Sequence, residues 1–381
     1  MPFPHSFNMK KPVVLIIQEN LPHYRVSFFD QLRKDLSAHG VSLELIFSPK
    51  TRDSLLPGYL PWATSVPIHW LGPLGWQNIF PYLKDVSLVI APQETKYAML
   101  PLLMILRRWG GWKFAFWGHG KNFQAFRPNT LSERWKRFLS RRADWWFAYN
   151  NLSARIVRDL GFPVTKTTVV MNSIDTRLII DARKDLSLLQ LSTIRKDLGI
   201  RSENVAIYTG GLYSQKRIPF LIEACRQVRV LIPDFEMIII GKGPDENLVR
   251  EAVKSDPWFH YVGPKDNLEK IPYWGLSKIC LMPGLVGLVV LDSFAFGVPM
   301  ITTDYPYHSP EIDYLVHNKN GVVVDAWQDC KTYAYQVARL LTDEHRRSLL
   351  AQEGQAALKL FSVEQMAKNF SKGVLCCLEV V

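Results

Sequence analysis

Short apolar runs rich in β-branched and aromatic residues alternate along this chain with stretches whose apolar side chains recur every three or four positions. In the first half the runs Val13–Ile17, Ser42–Phe47, Leu88–Ala91, Lys113–Trp117 and Trp145–Tyr149 predict strands. After the first of them, Phe28, Phe29, Leu32 and Leu36 mark one face of a helix. Around Asp175–Asp197 the pattern loosens into a charged, leucine-containing stretch with no clear strand. The rhythm restarts at Val205–Thr209 and continues through Met237–Gly241, Lys278–Met282, Met300–Thr303 and Val322–Val324. Strands alternating with helices in this way predict an α/β fold, two open parallel sheets covered by helices and joined near residues 175–200.

Composition supports two domains and narrows the class. The chain has 381 residues, 48% of them apolar and 21% charged, enough to fill sizeable cores. Its net charge of +11 is uneven: residues 1–190 hold 25 Lys/Arg against 13 Asp/Glu, the remainder 21 against 22. Cys225, Cys280, Cys330, Cys376 and Cys377 form no C-x-x-C pair, which predicts reduced thiols in a cytoplasmic protein and no zinc site. The run near the N-terminus is too short for a signal peptide or a span. MPGLVGLVVLDSFAFGVPM, Met282–Met300, is long enough to cross a bilayer, yet Pro283, Pro299, its glycines and Asp292 interrupt it. A central Asp costs about 2.5–3.5 kcal/mol on insertion scales, so a soluble core is expected.

In open α/β sheets ligands bind beyond the carboxyl ends of the strands, which singles out three loops. YTGGLYSQKR, Tyr208–Arg217, offers Gly210 and Gly211 for a tight turn and Lys216 to meet an anion; a plain turn with a surface lysine is the alternative. It matches neither the P-loop nor the dinucleotide fingerprint. IIIGKGPDENLVRE ends a strand in Gly241-Lys242-Gly243-Pro244, a structural turn before a helix opened by Pro244. In the third loop a helix is expected to start near Leu288, placing the amides of Gly287, Leu288 and Val289 at its positive end, where a phosphate fits. Asp292, one turn in, either accepts from ribose hydroxyls or caps the helix.

As an ordered set these loops resemble the nucleotide-sugar domain of the retaining glycosyltransferases of family four, the group 1 glycosyltransferases with the GT-B fold. The matching residues are Gly210, Leu212 and Lys216; Gly241, Gly243 and Pro244; Gly287, Leu288, Val289, Leu291, Asp292, Ala295, Gly297 and Pro299; then Glu311, Asn320 and Gly321. PHYRVSFFDQL, the GHG at 118–120 and MNSID at 171–175 extend the likeness into the first half. The resemblance implies two Rossmann-like domains facing across a cleft: an acceptor-binding domain over 1–190 and a nucleotide-sugar-binding domain over 191–362. A C-terminal helix over 363–381 would pack back on the first. Lys216 would pair with the donor diphosphate, Gly284 would stand in the donor site, amides near Leu288 and Val289 would hold phosphate or sugar oxygens, and Asp292 would bind the ribose. His119 would lie across the cleft near the transferred sugar, and Glu19, His23 and Arg25 would line the acceptor side.

The chain departs from the family at three positions. Gly284 and Asp292 stand where two glutamates are usual, the second carboxylate being one methylene shorter, and Gly211 replaces the arginine of G-R-L. No cofactor is implied, the nucleotide-diphosphate sugar being substrate. No two aspartates stand two apart, so metal-independent transfer is expected, with retention carried over from the family by analogy.

Between Leu100 and Arg142 ten basic residues face the single acid Glu133, with aromatic residues interleaved. In SERWKRFLSRR, Trp135, Phe138 and Leu139 share a helical face while Arg134, Lys136, Arg137 and Arg141 crowd the other. This predicts contact with an anionic membrane surface, the inner face of the cell membrane, or else a helix packed on its own sheet with a solvated basic side. No recognised nucleic-acid module accompanies the charge. The reading that results is a glycosyltransferase acting on a glycan or polyprenyl-linked acceptor in cell-surface polysaccharide (for example lipopolysaccharide) biosynthesis. A nucleotide-sugar epimerase and a catalytically degenerate nucleotide-sugar-binding protein are the alternatives.

Overall fold

The computed structural model describes residues 11–48, 60–94, 96–120, 138–266 and 268–380. The chain divides into two compact units, 1–172 with 363–381, and 173–362. The break falls at 172/173, earlier than the boundary at 190 expected above. The loosened stretch after it forms two helices of the second unit, and their short apolar faces lack the run length that marks a strand.

In the first unit seven strands, β1 (Val13–Ile17), β2 (Ser42–Phe47), β3 (Thr64–Ser65), β6 (Val86–Pro92), β7 (Lys113–Gly118), β8 (Trp145–Ala148) and β9 (Thr167–Val169), pair in the order β3-β2-β1-β6-β7-β8-β9. Every pairing is parallel. Helices α1 (Val26–Ala38), α2 (Met99–Gly110) and α3 (Asn151–Asp159) connect them, and a small antiparallel hairpin, β4 (Ile68–Leu71) with β5 (Leu74–Gln77), stands apart from the sheet.

The strands read as continuous apolar runs because both faces are covered. Val14 and Ile16 point into one layer with Phe28, Phe29, Leu32 and Leu36. Leu15 and Ile17, one residue out of phase, point into the other with Leu103, Phe114, Phe116 and Val157. Each such side chain contributes about 1.5–3 kcal/mol on burial.

The second unit carries a six-stranded sheet of β10 (Val205–Thr209), β11 (Glu236–Ile240), β12 (Phe259–Tyr261), β13 (Ile279–Met282), β14 (Met300–Thr303) and β15 (Gly321–Val324). Its order is β12-β11-β10-β13-β14-β15, again wholly parallel. Its helices are α4 (Arg177–Lys184), α5 (Leu188–Leu198), α6 (Ile218–Leu231), α7 (Glu246–Ser255), α8 (Ile271–Gly275), α9 (Val289–Phe296), α10 (Cys330–Thr342) and α11 (Glu344–Ala357). A last helix, α12 (Val363–Leu378), belongs to the first unit and lies against α1 there. MPGLVGLVVLDSFAFGVPM folds as the end of β13, a loop, the eight-residue α9 and the start of β14. No helix among the described residues is long and apolar enough to cross a membrane.

In the second unit the strand order reverses between β10 and β13, and in the first between β1 and β6. Loops leaving the carboxyl ends of these pairs lead away in opposite directions and open a crevice, the place where doubly wound sheets hold ligands.

Candidate functional site

At the switch point of the second sheet, the loops after β10 and β13 are fastened to each other. The turn Ser214–Lys216 follows β10 and buries Lys216, whose Nζ donates to the carbonyl oxygen of Leu285 at 2.6 Å. In return the Leu285 N–H donates to Gln215 O at 2.9 Å. Burial pushes the Lys216 ammonium down from 10.5 to about 8, with Cys280 and Glu311 acting against the shift. Arg217 takes the left-handed conformation, φ 59°, and its guanidinium lies over Phe220 at 3.9 Å and Trp327 at 4.8 Å. A strained position of this kind costs of order 1 kcal/mol, and the two ring stacks with a bond to Pro283 O hold it.

Glycines are required where the turns after β10 and β11 meet. A Cβ at Gly241 would sit 1.9 Å from Gly210 O, and one at Gly243 would sit 2.2 Å from Leu212 O. The close approach is hydrogen-bonded: Gly210 N–H donates to Ile240 O at 3.0 Å and Leu212 N–H to Lys242 O at 2.9 Å. Gly211 lies under the ring of Tyr213, which would stand 2.5 Å from any added Cβ. Lys242, following Gly241, is exposed.

The loop after β13 has its inner polar groups satisfied. Carbonyls of Met282, Pro283 and Leu285 accept from Thr302, Thr303 and Lys216. The Val286 N–H donates to Nδ1 of His308 at 2.9 Å, while Nε2 of that ring donates to Thr303 O at 2.8 Å. One nitrogen accepts and the other donates, so His308 is neutral, and burial pushes its pKa down to about 4. Beyond this point Gly287, Leu288 and Val289 are partly exposed, at the start of α9. The first amides of a helix have no intrahelical acceptor, so this half-open turn presents N–H groups and the positive end of the helix to a ligand. A Cβ at Gly287 would meet nothing within 4 Å. At Gly284 the opposite holds, because an added Cβ would stand 2.4 Å from Gln215 O and 2.6 Å from the Lys216 carbonyl carbon. The lysine turn fills the space a side chain at 284 would need.

Asp292, expected to face a ribose, is buried and its Oδ2 accepts from the ammonium of buried Lys270 at 2.8 Å. Its Oδ1 is itself enclosed, so it is a buried acceptor left without a hydrogen-bond partner among the described residues. Sequence reasoning missed both Lys270 and His308. Neither lies in a glycine-marked loop, and each is recognised only from the group it reaches.

In the first unit, Glu19 follows β1, and its Oε2 accepts from Lys96 Nζ at 2.6 Å and Tyr97 OH at 2.7 Å, both from the segment after β6. His119 follows β7, its ring edge-on to Tyr149 with centroids 4.1 Å apart. His23 is exposed. Arg25, expected on an acceptor surface, is turned inward at 5% exposure, with its guanidinium near the rings of Tyr24, Trp117 and Tyr149 and 3.6 Å from Met366 Sδ. It is a brace between α1, β7 and α12 rather than a surface cation.

Of the basic stretch, Arg134, Trp135 and Arg137 lie outside the described residues. Phe138 is exposed beneath the Arg142 guanidinium at 3.5 Å, and Arg141 donates to Leu160 O.

Residues 203–343, which contain the β10, β11 and β13 loops, match the family described as "Glycosyl transferases group 1". An uncharacterized glycosyltransferase of Haemophilus influenzae is 25% identical over 194 residues, 47% of this chain and 54% of that protein. The alpha-monoglucosyldiacylglycerol synthase of Acholeplasma laidlawii is 26% identical over 140 residues, 35% of this chain and 34% of the relative. The chain therefore spans about half or less of the length of these relatives. Among solved structures, Anabaena HepE in complex with UDP superposes with a TM-score of 0.73 at 15% identity, covering 95% of this chain and 99% of that one. The chain thus has the GT-B fold of two Rossmann-like domains, and its residues 203–343 match the group 1 glycosyl transferases.

Proposed function

We propose that the chain is a glycosyltransferase that moves a sugar from a nucleotide-diphosphate donor to a glycan or lipid-linked glycan acceptor. The observation that carries this reading is the β10/β13 switch point, where a buried lysine and half-exposed helix-start amides share one loop pair. A leaving diphosphate develops negative charge, and preorganised cations and amides held away from water stabilise it more than water does. Lys216 supplies the cation, the turn Gly287–Val289 the amides, and Asp292 Oδ1 an acceptor for a donor hydroxyl. Transfer follows the family-like course, without a metal and with retention at the sugar carbon. Glu19, His23 and His119 serve the acceptor side in the first unit.

The lipid-linked acceptor, a membrane-surface location and a role in building cell-surface polysaccharide belong to the same proposal. They are supported by the basic excess of residues 1–190 and by the likeness to an enzyme named for a diacylglycerol product. The competing reading, a nucleotide-sugar-binding protein without turnover, draws on Gly284, where no side chain fits. Measuring release of nucleoside diphosphate from a panel of nucleotide-sugars, with and without membrane extract, separates the two. Acceptor-dependent release supports transfer, whereas donor binding without release under every acceptor condition sinks it.

A further inference from the structure

Two neighbouring elements of the first unit turn apolar side chains outward. In the β4–β5 hairpin the opposed pairs His69–Trp76 and Leu71–Leu74 share one face, on which Leu71 is 84% exposed. Along α2, Leu102, Ile105 and Trp109 recur at helical spacing on the side away from buried Leu103 and Met104, and Trp109 is 78% exposed. The two elements are continuous in the structure. Gly75 N–H donates to Lys96 O at 2.8 Å and Ala98 N–H to Gly75 O at 3.0 Å, so the hairpin is tied to the residues that open α2.

Charge distinguishes this face from an ordinary interaction patch. Neither residues 68–77 nor α2 contain an acid. Arg107 is paired with Asp144, but exposed Arg108, beside Trp109, makes no ion pair among the described residues. Arg141 and Arg142 are exposed and follow Leu139, which shares an apolar layer with Met104 of α2. Leucine and tryptophan tips beside arginines, with the nearby acids Asp144 and Glu94 paired to Arg107 and Lys96, match a headgroup boundary, where indole rings rest between tails and water while arginines meet phosphates.

The geometry points to this hairpin-and-helix face as the surface that docks on an anionic lipid bilayer. Leu71, Leu74, Ile105 and Trp109 enter the boundary, and Arg108 lies over the headgroups. The assignment rests on the lipid-linked acceptor in the proposed function and makes no use of the donor chemistry.

The test is co-sedimentation of the full chain with phosphatidylglycerol-containing vesicles and with pure phosphatidylcholine vesicles, at low and high salt. Binding is expected to the anionic vesicles alone and to weaken with salt. The pairs Leu71→Ser/Leu74→Ser and Ile105→Ser/Trp109→Ser, and Arg108→Glu alone, are each expected to lower it about tenfold or more. These side chains are exposed, so unchanged thermal unfolding shows that the variants remain folded. No binding to either vesicle, or equal binding by the variants, overturns the proposal. So does self-association in light scattering that the same variants abolish, which would give the face to a second copy of the chain. Donor turnover on a soluble acceptor, measured on the same preparations, reads the transferase reading separately.

Discussion

The Lys216 ammonium sits 2.6 Å from the Leu285 carbonyl oxygen, so the lysine turn after β10 and the loop after β13 hold each other in place. The ammonium's pKa of about 8 makes its charge sensitive to mildly alkaline solution. An anionic diphosphate binds the protonated form better, so affinity for a nucleoside diphosphate should be level below about pH 8 and fall above it. Stability runs the other way. The folded state holds fewer protons than the unfolded one between about 8 and 10.5, so stability rises with pH across that window. Lys216→Met should lower diphosphate affinity by about 1.5–3 kcal/mol and flatten its pH profile. Calorimetric titration with UDP across that range checks both.

At position 284 the expected outcome is a loss. Gly284→Ala forces a methyl group into the Gln215–Lys216 backbone, an overpacking of about 1–3 kcal/mol, and displaces the lysine turn. Denaturant melts should show the destabilisation and UDP titration a weaker site. Gly284→Glu, which restores the family-like carboxylate, should be worse than Gly284→Ala on both measures.

Lys270 and Asp292 form a buried pair, and removing one partner strands the other. Lys270→Met alone should cost about 3–5 kcal/mol, and adding Asp292→Leu should recover most of it. The recovered double variant should still bind donor poorly, because Asp292 Oδ1 is gone. Paired melts and titrations distinguish the structural from the ligand-binding share.

His308→Ala leaves the buried Val286 N–H without its acceptor, at about 1–3 kcal/mol. The wild-type ring, neutral down to about 4, binds fewer protons than its unfolded form between about 4 and 6.5. Its contribution is full above that window and is lost as pH falls through it. The variant should therefore lose stability at neutral pH and show a shallower acid dependence in melts followed from neutral solution downward.

Buried parallel strands were legible because covering both sheet faces demands unbroken apolar runs. Val13–Ile17, Ser42–Phe47, Val205–Thr209 and Met300–Thr303 fall at their expected bounds. The edge strands Thr167–Val169 and Phe259–Tyr261 are too short to show a period, and the Ile68–Gln77 hairpin points apolar residues outward, against the pattern that marks a strand. Within the candidate site, glycine positions and Lys216 could be read from spacing. The Lys270 and His308 contacts could not, since each joins residues 22 positions apart. Arg25 shows the converse failure, for a charged residue beside a helix start reads as surface until its aromatic neighbours are known.

The placement of α12 bears on how the chain matures. Val363, Met366, Phe370 and Val374 belong to the same apolar layer as Phe28 and Phe29, and the Phe370 ring stacks on Phe147 at 4.2 Å. Gly373 lets the helix approach so closely that a methyl there would stand 2.4 Å from Thr168 Oγ1. During synthesis the second unit is complete at residue 362, whereas the unit begun first must wait for the residues beyond it. The half made earliest therefore closes last, and until then α1 and the sheet offer the aromatic side chains of Phe28 and Phe147 to chaperones or to aggregation.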